Sequence, residues 1–351
     1  MDWAERWRKR GPLWLFCLKP LSWLYWLGWR LRPRGAPESL GAPVLSVGNL
    51  SVGGTGKSPV VRLLAARAKA AGLQPAVLLR GYGAAAGPRP LAVALGKGPR
   101  AGVRASGDEA QEHAAMPGLQ VWIGKDRVAA GRAALAHGAA CLVLDDGFQR
   151  RGQLARNLDL LLADWRDLQL GEQLLPAGPW REPWSQAAQA GALLLSNAPP
   201  ELGPAKLSAA LPAAWAGLPL FRLQRLPAGL REWPSGRRLP LSRLRKRTVL
   251  ALSGLGRPQS FEDSLLALGA RPIPWRFKDH HRFSLRELER PPQDAALVVT
   301  TAKDAARLPL GWIPRRPVWI LELRARVTPE RPFWAMVDRA LGARPRKRKH
   351  P

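Results

Sequence analysis

The stretch Val44-Leu45-Ser46-Val47-Gly48-Asn49-Leu50-Ser51-Val52-Gly53-Gly54-Thr55-Gly56-Lys57-Ser58-Pro59 decides the fold of this chain. Val44–Val47 is an apolar run of strand length, the glycines form a turn, and a helical pattern follows from about Ser58 to Ala71, where Gly72 closes it. Strand, glycine-rich loop and helix in that order give the Gly-Lys-Ser ending its chemical sense. In such a loop the backbone N–H groups of Ser51, Val52, Gly53, Gly54, Thr55 and Gly56 surround phosphate oxygens, Lys57 reaches the terminal phosphates and the Ser58 hydroxyl holds Mg2+. Ser51 stands where the strict pattern asks for glycine, and Pro59 suits the first helical turn, where its missing N–H costs nothing. The stretch therefore predicts a nucleotide site.

Such a loop needs an acidic partner for its metal. Ala140-Cys141-Leu142-Val143-Leu144-Asp145-Asp146 is an apolar strand ending in two carboxylates, so Asp145 and Asp146 are the candidates beside Mg2+. A turn or helix cap is the competing use of an Asp pair at a strand end.

Outward from the loop, short apolar runs alternate with helical patterns, the rhythm of a parallel sheet. Ala76–Leu79, Val121–Ile123, Leu158–Leu162 and Leu193–Leu195 are further strand candidates, and Asp126–His137 reads as a helix. Residues 223–247 are rich in Pro, Gly and Arg without a clean period and read as a connection. The rhythm then resumes with Thr248–Leu252, a helix near Gln259–Leu268, Leu297–Thr300, Val318–Leu323 and a helix near Pro329–Leu341. The expected fold is α/β: a P-loop NTPase-type parallel-sheet domain, a second, smaller α/β domain and an N-terminal membrane-interfacial helix. Its boundaries are residues 1–34 for the interfacial segment, 35–222 for the P-loop domain, 223–247 for the hinge, 248–342 for the second domain and 343–351 for a basic tail.

Composition narrows the partners. The 351 residues carry 55 Lys+Arg against 26 Asp+Glu, a net charge of +29, with 46% hydrophobic residues, which excludes a disordered chain and demands an anionic partner. Cys17 and Cys141 lie far apart in apolar runs, giving neither a disulfide framework nor metal-ligand spacing. Six of the 16 tryptophans (Trp3, Trp7, Trp14, Trp23, Trp26 and Trp29) fall within residues 1–34, among eight Lys/Arg residues, and the other ten are spread along the chain. The segment lacks a small-residue cleavage site, and Lys19-Pro20 interrupts its apolar run, so neither a signal peptide nor a spanning helix fits. Trp23, Trp26 and Trp29 at i, i+3 and i+6 with flanking Arg instead suit a helix, or helical hairpin, lying on an anionic membrane; a helix packed on the protein's own core is the alternative.

Six segments together carry a resemblance. The loop from Val47 to Pro59, Arg80-Gly81-Tyr82-Gly83, Gly107-Asp108-Glu109, Asp145-Asp146-Gly147-Phe148-Gln149, Leu175-Pro176-Ala177-Gly178-Pro179-Trp180-Arg181-Glu182-Pro183 and Asp279-His280-His281 resemble, in order, the tetraacyldisaccharide 4'-kinase family of lipid A synthesis. The resemblance implies transfer of the ATP γ-phosphate to the 4'-hydroxyl of a lipid A disaccharide precursor, with Mg2+, at the cytoplasmic face of the bacterial inner membrane. It implies Asp108 as the base that takes the acceptor proton, His280 as its supporting imidazole from the second domain, and Lys57 as a catalytic cation. Arg80, Tyr82, Arg127, Arg181 and Glu182 match positions around the phosphates or the lipid headgroup. No protein partner and no nucleic acid are implied.

The chain departs from the family pattern at Ala110, where proline is usual, at Arg150, where histidine is common, and at Ala302, where glutamate is typical. None removes the base, the metal carboxylates or the loop lysine. A P-loop ATPase acting on nucleic acid is the first rival, but no helix-turn-helix, RNA-binding aromatic motif or zinc-finger spacing accompanies the charge. A membrane-bound positioning ATPase carries lysine before the glycine pair, where this chain has Val52.

Overall fold

Strand β1 (Val44–Asn49) is buried at every residue, because it lies between parallel neighbours β5 (Cys141–Asp145) and β6 (Leu158–Asp164). A strand covered on both faces reads as a continuous apolar run, which is why Val44–Val47 was legible. A computed structural model of the chain describes residues 12–32, 35–53, 56–82, 84–85, 87–279, 281–309 and 311–342. Among these, 225–324 form one compact unit, and the residues before 225 together with those after 324 form the other.

The nucleotide-loop unit is an open, mostly parallel sheet. β2 (Pro75–Leu79) pairs β5 and β4 (Gln120–Ile123), while β3 (Leu91–Leu95) closes that edge antiparallel to β4. On the other side β6 pairs β7 (Ala192–Ser196), which pairs the start of β8 (Leu220–Trp233). Helix α1 (Pro12–Arg30) precedes the sheet, and α2 (Lys57–Ala70), α3 (Asp108–Ala114) and α4 (Arg127–Ala136) connect its strands. Val60, Val61, Leu64 and Ala65 of α2 pack with Leu45 and Val47 of β1, Val143 of β5 and Leu160 of β6 in one core.

The second unit repeats the plan at smaller scale. Its parallel strands are β10 (Thr248–Ser253), flanked by β11 (Arg271–Arg276) and by β12 (Leu297–Thr301), which pairs β13 (Val318–Thr328). β9 (Arg238–Leu239) forms a hairpin with the far end of β8, and α5 (Gln259–Ala267) covers one face with Phe261 and Leu265.

Two boundaries differ from the sequence reading. Residues 223–247 are largely the far end of β8 and β9 rather than a hinge without regular structure. Arg, Pro227 and Gly229 disguise a strand whose burial is irregular, so the composition imitated a linker. Helix α6 (Glu330–Ala340), expected in the second domain, belongs to the nucleotide-loop unit, because β13 carries the chain back and Phe333, Val337 and Leu341 enter the core beneath α2. There Arg67 of α2 makes a bidentate pair with Asp338 and lies over the Trp334 ring.

The tryptophans also divide. Trp180, Trp184 and Trp215 make edge-on contacts with ring centroids 5.4 to 6.1 Å apart in the core beside β6 and β7. Helix α1 runs unbroken through Pro20, and among the described residues no helix is long and apolar enough to cross a membrane. Its three tryptophans do not share one environment: Trp23 is 61% exposed, Trp29 only 8%, and Trp26 lies between. Steps of three residues fall short of the 3.6-residue turn, so the row winds around the helix from solvent to protein. Trp3, Trp7, Trp14 and the basic tail 343–351 lie outside the side chains the structure describes.

Candidate active site

The turn after β1 is built for close approach. A Cβ on Gly48 would lie 2.4 Å from Phe148 Cβ and 2.7 Å from Phe148 N, so only glycine lets β1 touch the turn that follows the Asp145-Asp146 pair. Gly56 caps α2 with φ 90°, a left-handed conformation that turns the backbone sharply into the helix. Behind the loop the Ser51 hydroxyl donates to the buried Asp167 carboxylate at 2.9 Å, Val52 N donates to Pro179 O, and Arg181 N donates to Leu50 O. Ser51 in place of glycine thus ties the loop to Asp167, while the backbone on either side of it pairs with the Leu175–Pro183 segment. Gly54 and Thr55 lie outside the described residues.

Lys57 Nζ donates to Asn49 Oδ1 and pairs with Asp146 Oδ1, both at 3.0 Å. Arg181 approaches the same carboxylate with NH1 and NH2 at 3.1 Å and donates to Asn49 O at 3.0 Å. Asp146 has φ 53°, a left-handed conformation that aspartate tolerates better than most residues. Burial works to raise its pKa, yet the charges of Lys57 and Arg181 outweigh it and hold the carboxyl well below the usual carboxylate range.

Its neighbour Asp145 faces the other way. The Asp145 carboxylate is 3% exposed and meets His113 Nε2 of α3 at 2.8 Å, with the imidazole fully buried. Arg127, at the start of α4, donates to Asp145 O at 3.2 Å and to Gly124 O at 2.9 Å. Burial lowers the Arg127 guanidinium to about 10 despite the two aspartates nearby.

Six arginines converge on one cavity of about 870 Å3: Arg32, Arg80, Arg127, Arg150, Arg151 and Arg181, with Asp146 and Glu182 as the acidic residues on its wall. Burial and the neighbouring Arg80 and Arg32 lower the Arg150 pKa, the signature of cations crowded without enough counter-charge. Glu182 is buried, which pushes its carboxyl pKa up, although Arg151 and a hydrogen bond from Trp29 oppose the shift. Tyr25 and Trp29 close the cavity from α1, which is fastened by Tyr25 Oη donating to Arg181 O at 2.9 Å and Ser22 Oγ donating to Leu174 O at 3.0 Å.

The structure therefore gathers Lys57, Asp146 and Arg181 into one corner, and brings Arg80, Arg127, Arg181 and Glu182 to the cavity beside it. Tyr82 is 79% exposed and does not line that cavity. Asp108 is buried at the start of α3, its Oδ1 accepting from Glu109 N at 3.0 Å. His280 lies outside the described residues. Sequence reasoning missed Asn49, Asp167, Tyr25 and His113. Asn49 ends β1 immediately before the loop, a position that could have flagged it; His113 gave no signal, being a lone histidine in the mostly polar stretch Asp108–Ala114.

Among the described residues no group of three or more His, Cys, Asp and Glu side chains could hold a metal ion. Mg2+ at nucleotide sites asks for less, one or two protein oxygens with phosphates and water completing the shell. The Ser58 hydroxyl, partly exposed in the first turn of α2, and the Asp146 carboxylate on the cavity wall are hard oxygen donors of that kind, so the donor set fits.

Parallel sheet, glycine-rich loop, loop lysine and strand-end acids define a P-loop nucleotide-binding protein of the phosphoryl-transfer class. The family model described as Tetraacyldisaccharide-1-P 4'-kinase matches residues 14–342, and the chain belongs to that family. It is 42% identical over 277 residues to the tetraacyldisaccharide 4'-kinase of Anaeromyxobacter dehalogenans (strain 2CP-C), covering 76% of this chain and 73% of the relative. It is 39% identical over 310 residues to that of Azoarcus sp. (strain BH72), covering 86% and 85%. The crystal structure described as the apo form of LpxK from Aquifex aeolicus in complex with ATP superposes with a TM-score of 0.75 at 28% identity, covering 93% of this chain and 99% of that one.

Proposed function

We propose that the protein transfers the γ-phosphate of ATP to the 4'-hydroxyl of tetraacyldisaccharide 1-phosphate, forming lipid IVA, while resting on the cytoplasmic face of the bacterial inner membrane. The observation that carries this reading is the arginine-rich cavity that shares Asp146 and Arg181 with the Lys57 corner. A phosphorylated sugar headgroup held there lies beside the phosphates on the loop. Arginine suits that work because its planar fork grips phosphate oxygens in pairs.

In this reading the 53–58 part of the loop holds the nucleotide phosphates through backbone N–H groups, because Val52 N is already engaged by Pro179 O. Lys57 leaves its partner Asp146 in part to neutralise charge on the transferring group. Ser58 and Asp146 hold Mg2+, with Asp145 behind them, and the ion supplies charge neutralisation on the phosphates. Asp108 takes the proton from the acceptor oxygen as that oxygen attacks phosphorus, with His280 proposed as its support.

Helix α1 supports the membrane part. Phe16, Leu21, Trp23, Leu24 and Leu31 are exposed large hydrophobics on and just after α1, interspersed with Lys19, Arg30 and Arg32. That pairing of apolar side chains with cations suits an anionic headgroup layer. Because Trp29 and Tyr25 of the same helix line the cavity, the acyl chains of the acceptor can stay in the bilayer while its headgroup enters.

Transfer of radiolabelled phosphate from ATP to purified tetraacyldisaccharide 1-phosphate tests the activity; a labelled lipid product is expected, and no product under conditions where ATP binds overturns it. Sedimentation with anionic vesicles tests the docking. Replacing Trp23 and Leu24 by serine is expected to release the protein, and unchanged sedimentation overturns the membrane role of α1.

A further inference from the structure

We infer that His113 is a positioning residue of the phosphoryl-transfer site: its core imidazole fixes the Asp145 carboxylate, and with it the strand end from which Asp146 reaches the loop lysine. This rests on the functional reading above only in taking Asp146 as the metal-side carboxylate.

The geometry is specific. Helix α3 begins at Asp108, the proposed base, and carries His113 on its buried face beside Ala110 and Ala114. His113 Nε2 and Asp145 Oδ2 are 2.8 Å apart with the two side chains 0% and 3% exposed, so water does not compete for either partner. An imidazole that binds a carboxylate through Nε2 has its N–H there. Its Nδ1 is buried with no hydrogen-bond partner among the described residues.

That orphaned nitrogen is informative. Filling the same space with leucine would avoid burying an unpaired polar atom, which carries a desolvation penalty. A histidine that keeps this penalty is accounted for by what its other nitrogen does. Arg127 clamps the Asp145 carbonyl from α4 while His113 clamps the carboxylate from α3, so Asp145 is held from both sides. The next residue, Asp146, is then forced to turn outward, which it does at φ 53° to meet Lys57 at 3.0 Å. One imidazole thus ties the helix bearing the proposed base to the strand end bearing the proposed metal carboxylate.

The test compares ATP binding with and without Mg2+ by calorimetry, alongside thermal unfolding. His113→Gln places an amide N–H near the Nε2 position, His113→Asn places it near Nδ1, and His113→Leu keeps the bulk alone. The Mg2+-dependent gain in ATP affinity is expected to fall about 10-fold or more in His113→Leu and His113→Asn, and to return to within about 3-fold of the parent in His113→Gln. Lost unfolding temperature with an unchanged Mg2+ gain in folded His113→Leu overturns the positioning role. Should His113→Leu not fold, the Gln and Asn variants decide: a gain kept by Gln and lost by Asn supports the role, and indistinguishable behaviour overturns it. No acceptor lipid is needed, so a failed substrate assignment leaves this result standing, and the converse holds.

Discussion

Lys57 and Asp146 face each other at 3.0 Å across the mouth of the glycine-rich loop, the lysine from the first turn of α2 and the aspartate from the residue after β5. The pair is shared: Lys57 also holds Asn49, and Asp146 also accepts from Arg181. Charge is therefore already arranged before any phosphate arrives. Lys57→Met, which keeps the stem and removes the charge, is expected to weaken ATP binding and to lower phosphoryl transfer by about 10²–10³-fold, the usual loss when one electrostatic contact to a developing charge is removed. Filter-binding with labelled ATP and a single-turnover assay measure the two effects; transfer within 3-fold of the parent, by about the RT scale of a weak contact, would exclude the role.

Asp108 predicts a different split. As a base it acts on the acceptor proton and not on the nucleotide, so Asp108→Ala is expected to lower turnover by about 10²–10⁴-fold while ATP affinity changes little. Steady-state kinetics with calorimetric ATP binding separates the outcomes, and a fully active variant refutes the assignment.

The Lys57–Asp146–Arg181 arrangement also sets an acid limit in the nucleotide-free protein. A folded-state pKa below the ordinary aspartate value of 3.8 means that the stabilisation is fully present above that value and is lost as pH falls through the folded pKa. Asp146→Asn should therefore be less stable than the parent at neutral pH, and the gap should close as pH falls below about 4. Thermal unfolding across that range checks the sign; a gap that widens on acidification contradicts it.

Gly48→Ala tests the close approach beneath the loop. A new Cβ 2.4 Å from Phe148 Cβ and 2.7 Å from its main-chain nitrogen forces backbone to move. A loss of about 1–3 kcal/mol is expected in urea unfolding, as for other overpacked sites. ATP binding should weaken with it, because the strand that carries the loop shifts.

Phe333→Ala probes the return of the chain. Phe333 is fully buried between Phe221, at 5.4 Å, and Trp334, at 4.9 Å, in the core beneath the nucleotide loop. Truncation should cost about 3–5 kcal/mol. Limited proteolysis should then expose the nucleotide-loop unit; cleavage confined to 225–324 would place α6 wrongly.

The legible parts of this molecule share a physical cause. β1, β5 and β6 are covered on both faces, so they appear in sequence as short, mainly apolar runs such as Cys141–Leu144 and Leu160–Ala163. β11 was missed because Pro272 and Pro274 sit in it, tolerated because among the described residues it is an edge strand beside β10. β8 was mistaken for a connection because its arginines mask a partly buried strand. At the site, loop chemistry is local and was readable, whereas the His113–Asp145 contact joins residues 32 positions apart.

By itself the sequence determined the order of strand, loop and helix, the charge excess, and the set of side chains able to handle phosphate, since each follows from local pattern and chemistry. Only the tertiary structure decided which aspartate faces the cavity and which the core, that Trp29 belongs to the cavity wall while Trp23 meets solvent, and that the last helix returns to the first unit. Those outcomes depend on long-range packing, in which a burial or an ion pair is fixed by elements far apart in the chain.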